Sequence, residues 1–130
     1  MSRKNISSGS YLEKPIGFSR AVRMGNIISI SGTAPITNDV QSCPDDLYNQ
    51  AKICLRIIQK AIEEAGGKME EVIRTRLYLK NVNNWKEAAR AHGEIFSEIK
   101  PACTFVGVQG FIDPEWLIEI EAECVINPDV

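Results

Sequence analysis

A single histidine, His92, is all the imidazole the chain contains. The histidine pair often used in nucleolytic acid–base chemistry is therefore missing. Cysteines stand at 43, 54, 103 and 124, and no two of them have CxxC spacing. A zinc site needs ligands grouped a few residues apart, so no metal is expected. Charge of one sign is also missing: 15 Lys and Arg face 17 Asp and Glu, a formal net charge of −2. Nucleic-acid affinity rests on many Lys and Arg contacts to phosphate, so a nucleic-acid partner is not expected. No apolar run approaches the ~18 residues of a membrane helix. The opening Met1-Ser2-Arg3-Lys4-Asn5-Ile6-Ser7-Ser8 lacks the apolar segment of a secretory signal. There is no repeat, no low-complexity tract, and no GxSxG, P-loop or GxGxxG pattern. These absences describe a reduced, cytoplasmic protein with no membrane association and no cofactor. Most of its thiols are expected to be buried as small hydrophobes rather than joined in disulfides.

What is present is ordinary for one globular domain: 130 residues, 44% apolar and 25% charged. The first ten residues are polar and read as loose. Arg20 to Met24 and Ile27 to Ser31 read as strands joined by Gly25-Asn26, a pair that tolerates positive φ in a two-residue hairpin turn. Residues 32–43 read as a loop with turn formers at Pro35 and Asn38-Asp39. From Pro44 to Ala65 the residues Leu47, Ala51, Cys54, Ile58, Ala61, Ile62 and Ala65 recur in steps of three and four, one stripe of a helix. Ser42 or Cys43 would precede its first turn, and Gly66-Gly67 would stop it. Ile73, Thr75, Leu77 and Leu79 alternate with Arg74, Arg76, Tyr78 and Lys80, as in a strand with one buried face. A turn at residues 81–84 leads to a second helix with Trp85, Ala88, Ala89, His92, Ile95, Phe96 and Ile99 on its apolar side, ended by Pro101. Strands from Cys103 to Gln109 and from Trp116 to Ile126 complete the order. The fold class expected is α+β, a two-layer sandwich of a mixed six-stranded sheet with two helices on one face.

In the last strand Glu119, Glu121 and Glu123 share the face opposite Ile118, Ile120, Ala122 and Cys124. Three carboxylates two residues apart repel one another unless partners intervene. Arg74 and Arg76 could supply a cross-strand ladder; a carboxylate left over could act as a general acid or base. His92 lies on an apolar stripe, where packing competes with catalysis. Cys103 is either a small packed residue or a thiol whose reactivity would need a lowered pKa.

Several local patterns, taken in order, resemble a known family. Met24-Gly25-Asn26 leads a strand ending in Ser31-Gly32. Ala65-Gly66 follows the long helix, and Arg74-Thr75-Arg76-Leu77-Tyr78-Leu79 forms the middle strand. Pro101-Ala102-Cys103 precedes the penultimate strand, and Ile118-Glu119-Ile120-Glu121-Ala122 lies in the last. From about Pro15 to Ile126 the chain resembles the YjgF/RidA family, also labelled L-PSP endoribonuclease-like. That resemblance implies a chorismate-mutase-like fold assembled as a homotrimer, with a cleft at each subunit boundary. It also implies hydrolysis of reactive enamines and imines, released by pyridoxal-phosphate enzymes, to a 2-keto acid and ammonia. In such a cleft an arginine clamps the substrate carboxylate, a glutamate holds the attacking water, and a tyrosine and strand-end backbone line the walls.

Carried onto this chain, the glutamate is Glu119 and the strand end is Ser31 and Gly32. The tyrosine position holds Phe18, which keeps the ring without the hydroxyl. The arginine position holds Cys103, which cannot make two parallel N–H bonds; losing a charged hydrogen-bond partner costs roughly 1.5–3 kcal/mol. The chain therefore looks like an arginine-lacking branch. Arg20, two residues after Phe18, is the candidate substitute cation. The expected function is a Rid-like hydrolase or deaminase of a small-molecule ligand with altered substrate. The alternatives are a non-catalytic binding or regulatory module, and an endoribonuclease, which the net charge and the lone histidine oppose.

Overall fold

The computed structural model describes residues 2–37 and 43–127; the turn expected at Asn38-Asp39 and the helix-start position Ser42 lie outside them. The elements run β1 (Arg3–Ile6), α1 (Glu13–Ile16), β2 (Ala21–Met24), β3 (Ile27–Thr33), α2 (Leu47–Glu64), β4 (Val72–Leu79), α3 (Trp85–Phe96), β5 (Ala102–Gly107) and β6 (Ile118–Val125), with single 3-10 turns before β4 and α3. The strands form one mixed sheet in the order β1-β2-β3-β6-β4-β5, all pairs antiparallel except β4 and β5. The expected class is thus observed, with α2 and α3 on one face and the short α1 as an added third helix.

The alternation in β6 explains why the layers sit this way. Ile118, Ile120, Ala122 and Cys124 are buried beneath the helices, so the glutamates between them must face away. Each residue of the α2 stripe, from Leu47 to Ala65, is buried against this surface. On the helix-free face Ile27 and Ile73 stay more than half exposed. Gly25, at φ 61°, forms the β2–β3 turn in the left-handed region as expected.

Several expectations are corrected. The opening residues are not loose: β1 pairs along β2 from Arg3↔Met24 to Ile6↔Ala21. Only Ile6 in this strand is buried, so there was no apolar alternation to reveal it. The long helix starts three residues later than expected, because Asp46 is its N-cap and accepts from the Asn49 N–H at 2.8 Å. In β4 the register shifts between Val72 and Arg74; this bulge buries Val72 and leaves Ile73 52% exposed, out of phase with Thr75. In the second helix Trp85 is 47% exposed and meets Phe105 edge-on, centroids 6.5 Å apart, while Ala91 is buried in its place. That helix also ends at Phe96, before the left-handed Lys100 and Pro101. β5 stops at Gly107 and β6 begins at Ile118, two residues inside each expected end.

One buried amide connects the layers. Gln50, fully buried in the first turns of α2, donates from Nε2 to the carbonyls of Pro44 (2.6 Å) and Glu115 (3.0 Å), and its Oε1 accepts from the Leu117 N–H (2.7 Å). It fixes the approach to β6, and so the position of Glu119. Gln50→Leu keeps the volume but strands two carbonyls and an N–H. It is expected to lower the unfolding free energy by about 2–4 kcal/mol, read from urea midpoints at unchanged m-value.

Candidate functional site

Arg20 is the most deeply buried cation among the described residues, 3% exposed just before β2. The β-hairpin places its main chain opposite Ser31: Ser31 N–H donates to the Arg20 carbonyl at 3.0 Å. The side chain then gathers the irregular end of β3, where the register with β6 shifts between Ile30 and Thr33. Its Nη1 protons are shared among Gly32 O (2.7 Å), Ser31 Oγ (2.9 Å) and Thr33 Oγ1 (3.2 Å), and Nε donates to Ser8 Oγ (3.1 Å). Phe18 covers the guanidinium, its ring centroid 5.1 Å from Cζ. Burial draws the Arg20 pKa down, opposed by the negative charges of Glu13 and Glu119; a guanidinium remains charged regardless. Nη2 has no acceptor among the described residues.

Glu119 stands next to this latch. A Cβ on Gly32 would lie 2.9 Å from its Oε1, so the bare glycine lets the carboxylate rest against the backbone that Arg20 holds. Its neighbours on the same face are neutralised differently. Arg76 Nη1 meets Glu123 at 3.2 Å and Glu121 at 3.7 Å, and the Tyr78 hydroxyl donates to Glu121 at 2.8 Å. Arg74, expected to share this ladder, turns instead to Thr104 Oγ1 at 2.6 Å. No hydrogen bond to the Glu119 carboxylate is formed among the described residues. Burial raises its pKa, Arg20 opposes the rise, and Glu121 adds to it. A half-buried acid with open lone pairs and a raised pKa can bind a water and exchange a proton with it.

The structure thus brings together Phe18, Arg20, Ser31, Gly32 and Glu119. It does not bring Cys103 to them within one chain. Cys103 pairs with Thr75 across the parallel β4–β5 ladder and shares its helix-facing side, so the sheet separates the thiol from Glu119. It is exposed, whereas Cys54 and Cys124 are buried. His92 is a packing residue here: Nε2 lies 2.9 Å from Thr75 Oγ1, the ring is 4.5 Å from that of Phe96, and burial lowers its pKa. Sequence reasoning missed Ser8 and Thr33, which complete the Arg20 shell. The Ser7-Ser8-Gly9-Ser10 run was a visible signal of donors, without a sign of what they serve. Among the described residues no group of three or more His, Cys, Asp or Glu could hold a metal, and no helix is long and apolar enough to cross a membrane.

Comparison with known proteins gives a consistent result. The family model described as Endoribonuclease L-PSP matches residues 11–126. An uncharacterized protein of Streptomyces coelicolor is 37% identical over 92% of this chain and 90% of its own. A solved Mycobacterium tuberculosis structure, of the YjgF/YER057c/UK114 family, superposes with a TM-score of 0.88 at 36% identity, covering 96% of this chain and 100% of that one. A Dermatophagoides farinae protein named 2-iminobutanoate/2-iminopropanoate deaminase is 29% identical over 98% of this chain and 100% of its own.

Because the raised pKa means that folded Glu119 holds its proton more tightly than the unfolded chain does, its contribution favours folding at low pH. That contribution is lost as pH climbs through the ordinary value of 4.5 and then the higher folded value. Glu119→Gln is expected to melt above the wild type at pH 7, with the gap closing toward pH 4. A wild type that melts higher at pH 7 would show that attraction to Arg20 outweighs burial.

Proposed function

We propose, from the premise that this chain belongs to the YjgF/RidA (Endoribonuclease L-PSP) family, that it hydrolyses small reactive imines or enamines in grooves completed by neighbouring copies of a homotrimer. The observation that carries this reading is Glu119: half-buried, without a hydrogen-bond donor among the described residues, raised in pKa, and laid against the Gly32 backbone. The mite relative named as a 2-iminobutanoate/2-iminopropanoate deaminase supports the same chemistry.

The step needs little from the protein. Glu119 accepts a proton from a bound water as the oxygen adds to the imine carbon, and returns it to the nitrogen that takes up the C=N electron pair. The resulting carbinolamine then expels ammonia as Glu119 takes the hydroxyl proton and passes it to the leaving nitrogen, giving the carbonyl product. Phe18 supplies an apolar wall, and Ser31 and Gly32 form the groove floor fixed by Arg20.

The substrate is expected to differ from a simple 2-imino acid. Cys103 stands where the resemblance implies an arginine, and in one chain it is on the far side of the sheet from Glu119, so it can join the groove only from a neighbouring copy. Arg20, the substitute cation, has Nε and Nη1 committed to its own chain and only Nη2 left to offer. The exposed Ile27 and Ile73 on the helix-free face favour self-association over a monomer.

The test is ammonia and keto-product release from freshly generated imines, with and without a carboxylate, in the wild type and Glu119→Gln. Acceleration is expected, weakest for carboxylate-bearing imines, and falling about a hundredfold or more in Glu119→Gln. No acceleration over buffer for any imine would remove the reading. Thermal stabilisation by such compounds without product would leave the binding-module alternative, which the apolar Phe18 and uncharged Cys103 favour.

A further inference from the structure

A cavity of about 370 Å³ lies between the outer side of α2, residues 7–10 and the segment after β3. Phe18, Ser31, Gly32 and Glu119 do not line it; Arg20 does. It is a space separate from the Glu119 groove, with one wall in common. Along its α2 side stand Arg56 and Lys60, one turn apart, and neither forms an ion pair or side-chain hydrogen bond among the described residues. With Arg20 they bring three cations to one cavity, against the single carboxylate of Glu64. Glu13, an electrostatic neighbour of Arg20, is already satisfied: it accepts from the Ser8 N–H and hydroxyl and from the Ser10 N–H at 3.0–3.2 Å. Burial would raise its pKa, but the hydrogen bonds from Ser7, Ser8 and Ser10 together lower it, so it stays ionised and engaged. Ile36 and Ile57 supply an apolar side.

We propose that this cavity binds a small organic anion, a carboxylate or phosphate head on a short apolar body, held by Arg56, Lys60 and the free Nη2 of Arg20. The cavity has the size of a small-metabolite site, and a desolvated guanidinium with an unused nitrogen is a preorganised partner for an oxyanion. The site shares Arg20 with the Glu119 groove, but binding here through Arg56 and Lys60 requires no turnover at Glu119.

The test is an amide NMR titration of the full chain with sodium phosphate and, separately, sodium butyrate and sodium acetate, at constant ionic strength. Saturable shifts are expected at residues 7–10, at Ala34 and along the 56–64 segment, with butyrate tighter than acetate. The double variant Arg56→Gln/Lys60→Gln changes only exposed side chains, so its spectrum elsewhere is expected to be preserved. Its binding should weaken about tenfold or more. A stronger phosphate response would assign a phosphate head, and a stronger butyrate response a carboxylate. Shifts that grow linearly without saturation, or binding that the double variant leaves intact, would overturn the site.

Discussion

A guanidinium removed from water must have its N–H groups met, and in this chain that requirement organises everything near the proposed site. Arg20 is nearly inaccessible, and its Nη1 and Nε donors are met by consecutive residues at the irregular end of β3 and by Ser8 in the loop after β1. Where the register shifts between Ile30 and Thr33, its Nη1 meets the Gly32 carbonyl at 2.7 Å. The same charge is the nearby cation that tempers the Glu119 carboxyl. One side chain thus shapes the backbone under the acid, moderates the acid's charge and forms a wall of the adjoining cavity.

Glu119 differs from its neighbours through position rather than residue type. Glu121 and Glu123 share Arg76, and Glu121 also receives the Tyr78 hydroxyl. Tyr78 is the cross-strand partner of Glu119, yet its hydroxyl reaches along the strand to the next carboxylate. The ladder that stabilises two of the acids therefore leaves the third without an ion-pair partner among the described residues, next to a glycine that offers no side chain to obstruct it. Cys103 has the opposite fate: parallel pairing with Thr75 assigns it to the helix side of an edge strand. Any role beside Glu119 then depends on assembly, because the sheet lies between them in a single chain.

Much of this was legible in the residues. The Gly25-Asn26 hairpin, the α2 stripe and the three-glutamate face follow from period and turn chemistry alone. Phe18 and Arg20 were legible as neighbours two residues apart, but they meet, 5.1 Å from ring centroid to Cζ, in the irregular segment before β2 rather than along a strand. What was hidden depended on tertiary partners. A strand with one buried residue, Ile6, has no period to read. The bulge that turns Ile73 outward leaves no mark in an alternating sequence. Nothing in the composition distinguishes a buried arginine from an exposed one, so Arg20 read as a free cation although most of its donors serve its own chain. Arg56 and Lys60 carry no local mark of the cavity, since the segment that faces them is residues 7–10, far off in the sequence.

The coupling between Arg20 and Glu119 is most directly tested by a carboxyl-carbon NMR titration of Glu119 in the wild type and in Arg20→Met. The account predicts a wild-type midpoint above the ordinary glutamate value and a further rise when the cation is removed. An identical midpoint in the two proteins, or one at the ordinary value in the wild type, would contradict it.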